Sequence, residues 1–331
     1  MSRKHVFRKD NLLQLGAIIL TLVVFGAAVF AVSRMLNSRN ETDTLYTRPD
    51  NRPKITYNGK DYVLRNNLES ILVMGIDETE DLSYSDKFQN YTQADVIMLF
   101  VIDRDNNTYR CLQLNRDSMV PVNRAESSLN EELVTMQLAL AHSFGTNDQA
   151  RCENTVEAVS GMLFDLPIDH YVSLRMESIK ILNDSVGGVT VTIPAGMETA
   201  DPAFTEGATV TLHGDQAERF VRSRMSLDDD SNTFRMERQR QFITKWRELA
   251  VARAEQDSNF VMDLNMQLSD YLVTDMFANS LSDFVSQLTT FTDGGIVTTE
   301  GEYEHVGAFR EYYVDMDDLE AKVIDLFYEE A

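Results

Sequence analysis

The sequence predicts an α/β domain, with a single mixed central β-sheet flanked by helices on both faces, behind one N-terminal transmembrane helix. Continuous apolar runs such as residues 71–76 are typical of strands buried on both faces, and helix-like stretches occupy much of the C-terminal half. A third observation predicts the membrane helix, because residues 12–32 hold only Gln14, Thr21 and glycines among apolar side chains.

Composition and charge exclude several classes of protein. The 331 residues are 43% hydrophobic and 25% charged, which is too apolar for a disordered chain and too mixed for a multi-span membrane protein. Two cysteines cannot form a disulfide framework or a cysteine-rich zinc site. The formal charge of −23 argues against sequence-independent nucleic-acid binding, which needs a basic surface, so we expect no nucleic-acid partner.

The first 39 residues differ in charge from the rest of the chain. They carry six basic residues and one acid, a net charge of +5, so the remainder sums to −28. Because four of the basic residues precede the apolar stretch, we expect a cytoplasmic basic tail over 1–10 and a transmembrane signal anchor over 11–33. The alternative is a cleaved signal peptide, although its apolar stretch would usually be only ~7–15 residues. Either reading places the folded domain outside the cell, and the anchor predicts a single-pass protein of the cell membrane.

Residues 34–66 are predicted to form an extracellular linker and a first hairpin. Residues 33–53 are polar, hold two prolines and lack apolar periodicity, as tethers do. Asn58-Gly59 then lies between two strand-like runs, and this dipeptide favours the tight turn of a β-hairpin. The main folded domain is expected to cover residues 67–331.

Three strand-like runs are expected to bring four polar residues to one sheet edge. The runs cover residues 71–76, 96–102 and 108–114. If neighbouring strands are antiparallel, the end of the first, the start of the second and the end of the third share an edge. Two carboxylates there suit Mg²⁺, which takes oxygen ligands, although each aspartate alone is as well explained as the cap of a strand or turn. The four converging residues are Asp77, Asp95, Arg116 and Asp117.

The segment 213–246 is rich in arginine although the protein is acidic. Six arginines fall within the 22 residues from Arg219 to Arg240. Arginine forks bind phosphate bidentately, so this segment favours a diphosphate ligand. The alternative is a solvated face whose arginines form salt bridges with neighbouring acids. One helical face would carry four residues at positions i, i+3, i+4 and i+7: Arg235, Arg238, Gln239 and Phe242.

Seven stretches together resemble the LytR-CpsA-Psr family, which are membrane-anchored enzymes of the Gram-positive envelope. They occur in family order and cover about residues 67–328. The stretches are ILVMGID (71–77), ADVIML (94–99), LNRDSMV (114–120), IDHYVSL (168–174), LNDSVGGVTVTIP (182–194), LHGDQAERFVRSR (212–224) and FRMERQRQF (234–242).

The resemblance implies a phosphotransferase that uses Mg²⁺. Such enzymes move a glycan or anionic polymer from a polyprenyl-diphosphate carrier to peptidoglycan, and polyprenyl phosphate leaves. The implied partners are therefore a polyprenyl-diphosphate-linked glycan, peptidoglycan and the membrane. Two other roles stay open: hydrolysis of the polyprenyl diphosphate, and a non-catalytic, lipid-diphosphate-binding envelope regulator of the transcription-attenuator type.

The resemblance also implies roles for individual residues. Asp77 and Asp95 would hold Mg²⁺ against the diphosphate. Asp117 would either orient an arginine or help to deprotonate the attacking hydroxyl, and it is expected to be catalytic together with two of the arginines, Arg116 and Arg238. The residues that would clamp the diphosphate are Arg116, Arg222, Arg224, Arg235, Arg238 and Gln239.

The chain departs from the family pattern near the predicted site. Gln93-Ala94 stands where the family often has an arginine before the second metal aspartate, and Asn115 replaces the usual proline before Arg-Asp. Asn232 occupies a position, three before the first helix arginine, that is commonly acidic. A weakly active or regulatory paralogue is therefore a further alternative.

Three expectations concern the rest of the domain. The apolar run 133–140 predicts a helix, either ordinary core or the wall of a polyprenyl tunnel. Cys111 and Cys152 either form a disulfide or remain two buried thiols. Residues 256–328 alternate helix-like stretches with one strand-like run, so this acidic region is expected to belong to the fold.

Overall fold

The chain is described here by a computed structural model. The predicted basic tail and transmembrane anchor, most of the linker, and Arg224 lie outside the described residues. Among the residues that are described, no helix has the length and apolar character needed to cross a bilayer. Residues 54–331 group into one unit by their contacts. The described residues are 52, 54–78, 92–124, 132–223, 232–306 and 309–331.

The strands of these ranges are numbered in chain order. They are β1 (Lys54–Tyr57), β2 (Lys60–Leu64), β3 (Leu68–Glu78), β4 (Thr92–Asp103), β5 (Thr108–Gln113), β6 (Met119–Asn123), β7 (Leu133–Gln137), β8 (His170–Arg175), β9 (Thr190–Thr192), β10 (Thr209–Thr211), β11 (Leu272–Thr274), β12 (Thr292–Thr298), β13 (Gly301–Val306), β14 (Phe309–Val314) and β15 (Tyr328–Glu330).

The helices of the same ranges are numbered separately. Short 3-10 helices cover Leu138–Ser143, Met176–Ser178 and Ser269–Tyr271. The α-helices are α1 (Asp148–Met162), α2 (Ile179–Ser185), α3 (Asp215–Arg222), α4 (Thr233–Gln256), α5 (Phe260–Leu268), α6 (Ala278–Thr290) and α7 (Met316–Phe327).

A six-stranded mixed sheet forms the centre of the domain, with the strand order β11-β8-β3-β4-β5-β12. The strands β3, β4 and β5 pair in antiparallel order, which is the condition on which the predicted convergence depended. The flanking strands β8 and β12 instead run parallel to β3 and β5, and the edge strand β11 is antiparallel to β8. The mixed central sheet is thus confirmed, and the other strands form four smaller sheets.

Alternation along β4 sends side chains to both faces of this sheet. Ile97 and Leu99 join a core that includes residues of α1 and α7. Met98 and Phe100 point to the other face, where the Phe100 ring lies 5.7 Å from the ring of Phe284 on α6. Because both faces of the strand are buried, its sequence is a continuous apolar run, as is typical of such strands. Helices therefore cover both faces of the sheet.

The first hairpin has the predicted structure. The acidic C-terminal region belongs to the fold as expected, but it also contains β11 and the β13–β14 hairpin, which the sequence did not predict. β1 and β2 pair around Asn58-Gly59, which have φ angles of 49° and 76°. Both angles are positive, as a two-residue type I′ turn requires. The C-terminal region forms α5, α6, β12 and α7 in the expected order.

The helix predicted over 133–140 is wrong. This run forms β7, which pairs with β6, and then enters the 3-10 helix Leu138–Ser143. Leu133 is 61% exposed, while Leu138 is fully buried. A short apolar run fits a strand as well as a helix, and here pairing with β6 decides between them.

The two cysteines are free thiols on opposite faces of the central sheet. Cys152, a residue of α1, packs in the core on one face of the sheet, and Cys111 of β5 packs on the other face. Burial raises the pKa of both thiols, that of Cys152 to about 12. Of the two alternatives that the sequence left open, the structure has the buried thiols.

Candidate functional site

A β-bulge in β4 turns Asp95 away from the core. Gly75 of β3 pairs with Val96, but the next residue, Ile76, pairs with Ala94, so Asp95 is an extra residue in the ladder. Ala94 and Ile97 consequently enter the same core although they are three residues apart instead of two. Bulges re-aim side chains in this way next to functional sites.

The bulge opens into a polar cleft of about 490 Å³. The cleft is formed by the ends of three strands, the end of α3 and the first turn of α4. Of the predicted residues, the structure brings five together here: both aspartates expected to hold metal and three arginines. The lining residues are Asp77, Gln93, Asp95, Arg116, Glu218, Arg219, Arg222, Ser223 and Arg235.

The two aspartates expected to bind metal are paired with arginines. Asp77 Oδ1 lies 2.5 Å from Arg222 Nη2. Asp95 accepts a hydrogen bond from Arg116, and its second oxygen lies 3.5 Å from Arg235 Nη1. The cleft therefore compensates its own charge in the ligand-free protein.

Arg222 also contacts Glu218 one helical turn earlier, at 2.5 Å. Burial by itself would lower the pKa of the Arg222 guanidinium, but the hydrogen bonds to Asp77 and Glu218 outweigh burial and raise it. Arg222 is thus held in the charged form that binding an anion requires.

The start of α4 orients Arg235. Arg235 lies in the first turn of this helix, and its Nε donates a 2.7 Å hydrogen bond to the side-chain oxygen of Asn232. Arg116 contacts the other oxygen of Asp95, and its Nη2 donates to Gln93 Oε1 at 2.6 Å. Each of these two arginines is therefore held by a neutral amide as well as by Asp95.

Asp117 stands behind Arg116. Its Oδ1 lies 3.4 Å from Arg116 Nε and 3.5 Å from Gln137 Nε2. Asp117 is not among the residues that line the cleft. Of the two roles left open for Asp117, this geometry fits the orientation of Arg116.

Arg238 and Gln239 do not line the cleft. Arg238 is buried, its Nε donates to the Phe220 carbonyl at 2.7 Å, and its Nη2 donates to the Ser223 carbonyl. Burial, with the nearby charge of Arg235, lowers the pKa of Arg238 to about 10. Gln239 accepts a 3.3 Å hydrogen bond from Gln113.

Arg238 and Gln239 lie outside the cleft because only the first turn of α4 borders it. The i, i+3, i+4 spacing does place these side chains on the same face of α4 as Arg235. That face leaves the cleft after its first turn and continues into the packed interface with α3 and the sheet. Arg238 therefore holds the end of α3, and through it the segment that carries Arg222 and Ser223.

An apolar cavity of about 180 Å³ lies between the sheet and the helices α4, α5 and α6. Its wall includes Val73 and Gly75 of β3, and Trp246, whose Nε1 donates to the Leu182 carbonyl at 2.7 Å. Because alternate residues of a strand share a face, Val73, Gly75 and Asp77 run in line from this cavity to the polar cleft. None of residues 133–140 lines it, so the predicted tunnel wall is not found there.

Four residues of the cleft were not predicted from sequence: Gln93, Glu218, Arg219 and Ser223. Glu218 had a signal, because it stands four residues before Arg222 on a helix. Arg219 lies inside the arginine-dense segment and forms a 2.9 Å ion pair with Asp201. Gln93 also had a signal, because it stands just before Asp95 at a position where the chain departs from the family pattern.

The cleft offers the donor atoms that Mg²⁺ prefers. Three carboxylates, those of Asp77, Asp95 and Glu218, and the side-chain oxygen of Gln93 reach it. Among the described residues there is no group of three or more histidine, cysteine, aspartate or glutamate side chains that could hold a metal. The residues present thus fit a Mg²⁺ site whose remaining ligands come from a phosphate ligand and water, with Asp77 and Asp95 as protein ligands.

Comparisons with known proteins agree with the fold and with the sequence motifs. The profile of the LytR_cpsA_psr family matches residues 30–325. Biofilm regulatory protein A of Streptococcus mutans is 32% identical over 198 residues, which are 57% of this chain and 46% of the relative. The chain thus spans less than half the length of that relative.

A second relative and a solved structure extend the likeness. Polyisoprenyl-teichoic acid–peptidoglycan teichoic acid transferase TagU of Halalkalibacterium halodurans is 25% identical over 242 residues, 71% of this chain and 70% of the relative. The solved structure of TagT bound to LI-WTA superposes with a TM-score of 0.59 at 19% identity, covering 79% of this chain and 90% of that chain. At this identity the superposition shows that the fold is shared.

Proposed function

The chain belongs to the LytR-CpsA-Psr family, and we propose that it is a Mg²⁺-dependent phosphotransferase that moves a glycan or anionic polymer from a polyprenyl-diphosphate carrier to peptidoglycan. The name of the relative TagU, a teichoic acid transferase, supports this class of reaction. One structural observation carries the proposal: two strand-end carboxylates and four arginines line a cleft that adjoins an apolar cavity along one face of β3.

Donor binding would exchange the partners of the cleft residues. Asp77 and Asp95, now paired with arginines, would become ligands of Mg²⁺. The guanidinium groups of Arg116, Arg222 and Arg235 would then turn to the diphosphate oxygens, which they bind in pairs of hydrogen bonds. The carboxylates and the guanidinium groups would therefore each have a partner of opposite charge both before and after the donor binds.

The reaction would be a substitution at phosphorus. A peptidoglycan hydroxyl attacks the phosphorus that carries the glycan, a new P–O bond forms, and the P–O bond of the anhydride breaks. Polyprenyl phosphate leaves with the bonding electron pair, and the hydroxyl proton passes to solvent. Bound Mg²⁺ supplies neutralisation of charge on the diphosphate, and the three arginines stabilise the charge that builds up on the leaving phosphate.

The lipid part of the donor would enter the apolar cavity. The cavity wall is almost entirely hydrophobic and includes Trp246, Leu264 and Phe284. Since the donor lipid belongs to a membrane, this proposal goes together with the expected anchor over residues 11–33, which would keep the domain at the outer face of the cell membrane.

Reconstitution tests the proposal. We expect the full-length protein in detergent to release polyprenyl phosphate from a lipid-linked glycan only when peptidoglycan and Mg²⁺ are present. Chelation of the metal should stop the reaction, and so should Asp95→Asn. Asp165→Asn is the matched control, because Asp165 is an exposed aspartate beyond the end of α1.

Three outcomes would overturn the proposed transfer. Release of polyprenyl phosphate without an acceptor would make the protein a hydrolase. Tight donor binding without release would make it a non-catalytic regulator, the role that the name of the Streptococcus mutans relative suggests. Equal turnover in Asp95→Asn and Asp165→Asn would refute the assignment of the cleft.

A further inference from the structure

Two of the positions at which the chain departs from the family pattern are in contact with each other. Asn232 Nδ2 donates a 3.2 Å hydrogen bond to Asn115 Oδ1. Asn115 immediately precedes Arg116, and Asn232 is the residue whose side chain holds Arg235 Nε. Both asparagines are buried. The pair therefore links the strand end and the helix start that carry two of the cleft arginines.

Tyr303 of β13 joins this pair. Its hydroxyl oxygen accepts a 2.7 Å hydrogen bond from Asn115 Nδ2 and a 3.1 Å hydrogen bond from the backbone N–H of Asn232. Asn115 Oδ1 in turn accepts from the backbone N–H of Asp117 at 3.0 Å. The Tyr303 hydroxyl thus accepts one hydrogen bond from the residue before Arg116 and another from the residue before α4.

The β13–β14 hairpin is itself docked against the strand end. The backbone N–H of Tyr312 donates to the Asp117 carbonyl at 3.0 Å, and Gln137 Nε2 donates to the Arg310 carbonyl at 2.7 Å. The Tyr303 ring lies 4.8 Å from the ring of Tyr312. These contacts give the Tyr303 hydroxyl a fixed position relative to Arg116.

We propose that Tyr303 is a positioning residue of the donor site: through Asn115 and Asn232, its hydroxyl holds Arg116 and Arg235 in the orientation that binds the diphosphate. This inference rests on the proposed function. Without the hydroxyl, the Asn115 amide and the Asn232 N–H lose their acceptor in a buried site. Buried donors without partners turn toward other acceptors, so both asparagines would shift and the two arginines would follow.

The test compares two tyrosines of the same hairpin. Tyr303→Phe removes the hydroxyl and keeps the ring that packs against Tyr312. Tyr312→Phe is the matched control, because its buried hydroxyl donates to the Thr299 carbonyl at 3.0 Å and contacts neither asparagine. Binding of inorganic pyrophosphate with Mg²⁺ is measured by calorimetry on the full-length protein, together with the melting temperature of each variant.

We expect Tyr303→Phe to weaken pyrophosphate binding roughly 10-fold, as the loss of one buried hydrogen bond would. Tyr312→Phe should lower the melting temperature to a similar extent and leave the dissociation constant unchanged. The inference would be overturned if both variants bound as the wild type does, or if both lost binding in proportion to stability. Failure of the wild type to bind Mg²⁺ and pyrophosphate would instead refute the proposed function.

A second variant tests the route through the asparagines. Asn115→Pro restores the residue that the family usually has and removes the amide that donates to Tyr303. In the Asn115→Pro protein, Tyr303→Phe should change the dissociation constant of pyrophosphate by less than about 3-fold, because one of the two hydrogen bonds to the Tyr303 hydroxyl is already absent. An undiminished effect of Tyr303→Phe in the Asn115→Pro protein would show that the hydroxyl acts by another route.

Discussion

Asp77 and Asp95 each hold an arginine in the ligand-free cleft, so metal and diphosphate are expected to bind cooperatively. A diphosphate without metal has to compete with the carboxylates for Arg116, Arg222 and Arg235. On the proposed function, Mg²⁺ would remove this competition by binding the carboxylates itself. The ion pairs of the cleft would then account for the proposed dependence on metal.

This cooperativity gives the first prediction. Pyrophosphate should bind the wild type at least ~10-fold more tightly with Mg²⁺ than with a chelator, by calorimetry. Asp77→Asn frees Arg222 from one of its two carboxylates, so metal-free binding should be retained or improved while the gain from Mg²⁺ shrinks. Asp165→Asn should behave as the wild type. Equal affinity with and without metal would contradict the exchange of partners.

Arg238 gives a second prediction, which concerns stability. It bonds the carbonyls of Phe220 and Ser223 from a buried position. Arg238→Ala leaves these carbonyls without a donor and opens a space, so we expect a loss of about 3 kcal/mol in the free energy of unfolding by urea. Arg253→Ala, at an exposed position of the same helix, should cost less than ~0.5 kcal/mol. Similar values for the two variants would exclude a structural role of Arg238.

His142 gives a third prediction, on pH. Its ring contacts the Thr92 hydroxyl at 3.1 Å and the Cys152 thiol at 3.6 Å, and burial with the nearby Arg151 lowers its pKa to about 4. Below pH ~6.5 the His142 ring is protonated in the unfolded chain, whereas in the folded protein it stays neutral until the pH approaches 4. The stability due to His142 is therefore complete above pH 6.5 and is lost as the pH falls toward 4, by up to about 3 kcal/mol.

Unfolding by urea across this pH range measures the effect. His142→Gln should flatten the part of the profile between pH 6.5 and 4, while His213→Gln, at an exposed histidine, should leave it as in the wild type. Profiles of the same slope in His142→Gln and the wild type would mean that the ring is protonated in the folded protein.

At the scale of elements, the strands that carry the site were predictable, and the detail that aims Asp95 was not. Apolar runs predicted the three strands, and the convergence of Asp77, Asp95 and Arg116 followed on the condition that neighbouring strands are antiparallel. The pairing of β3, β4 and β5 meets that condition. The bulge has no signal in the local sequence, because an extra residue becomes visible only in the pairing with β3. For the same reason the run at 133–140 was assigned to a helix: its partner β6 decides its conformation.

Gly75 of β3 gives a fourth prediction, at the point where the strand passes the cavity. A Cβ there would lie 2.9 Å from Met176 Sδ and 3.1 Å from Val96 Cβ. Gly75→Ala should therefore lower the free energy of unfolding by about 1–2 kcal/mol and narrow the cavity, which all three residues line.

Gly161→Ala is the matched control. Gly161 lies in α1, and a Cβ there would have no atom within 4 Å, so the change should stabilise the protein by about 0.5–1 kcal/mol. Urea denaturation measures both variants. Stabilisation by both substitutions would mean that β3 and β4 leave room for a side chain at position 75.

At the scale of the whole molecule, one face of the central sheet joins two different environments. Val73 and Gly75 contribute to the apolar cavity, and Asp77, two residues on, contributes to the polar cleft. Such a surface matches a ligand with a hydrocarbon part next to a charged diphosphate. The family resemblance implied such a ligand, whereas the position of the apolar cavity, between the sheet and α4, α5 and α6, required the structure.

The most direct measurement is a structure of the full-length protein with Mg²⁺ and a polyprenyl-diphosphate-linked sugar. We expect Asp77 and Asp95 to have left their arginines for the metal, Arg116, Arg222 and Arg235 to contact the diphosphate, and the lipid to fill the cavity beside Trp246. A diphosphate bound outside the cleft, with both aspartates still paired to arginines and the cavity empty, would contradict the proposed site.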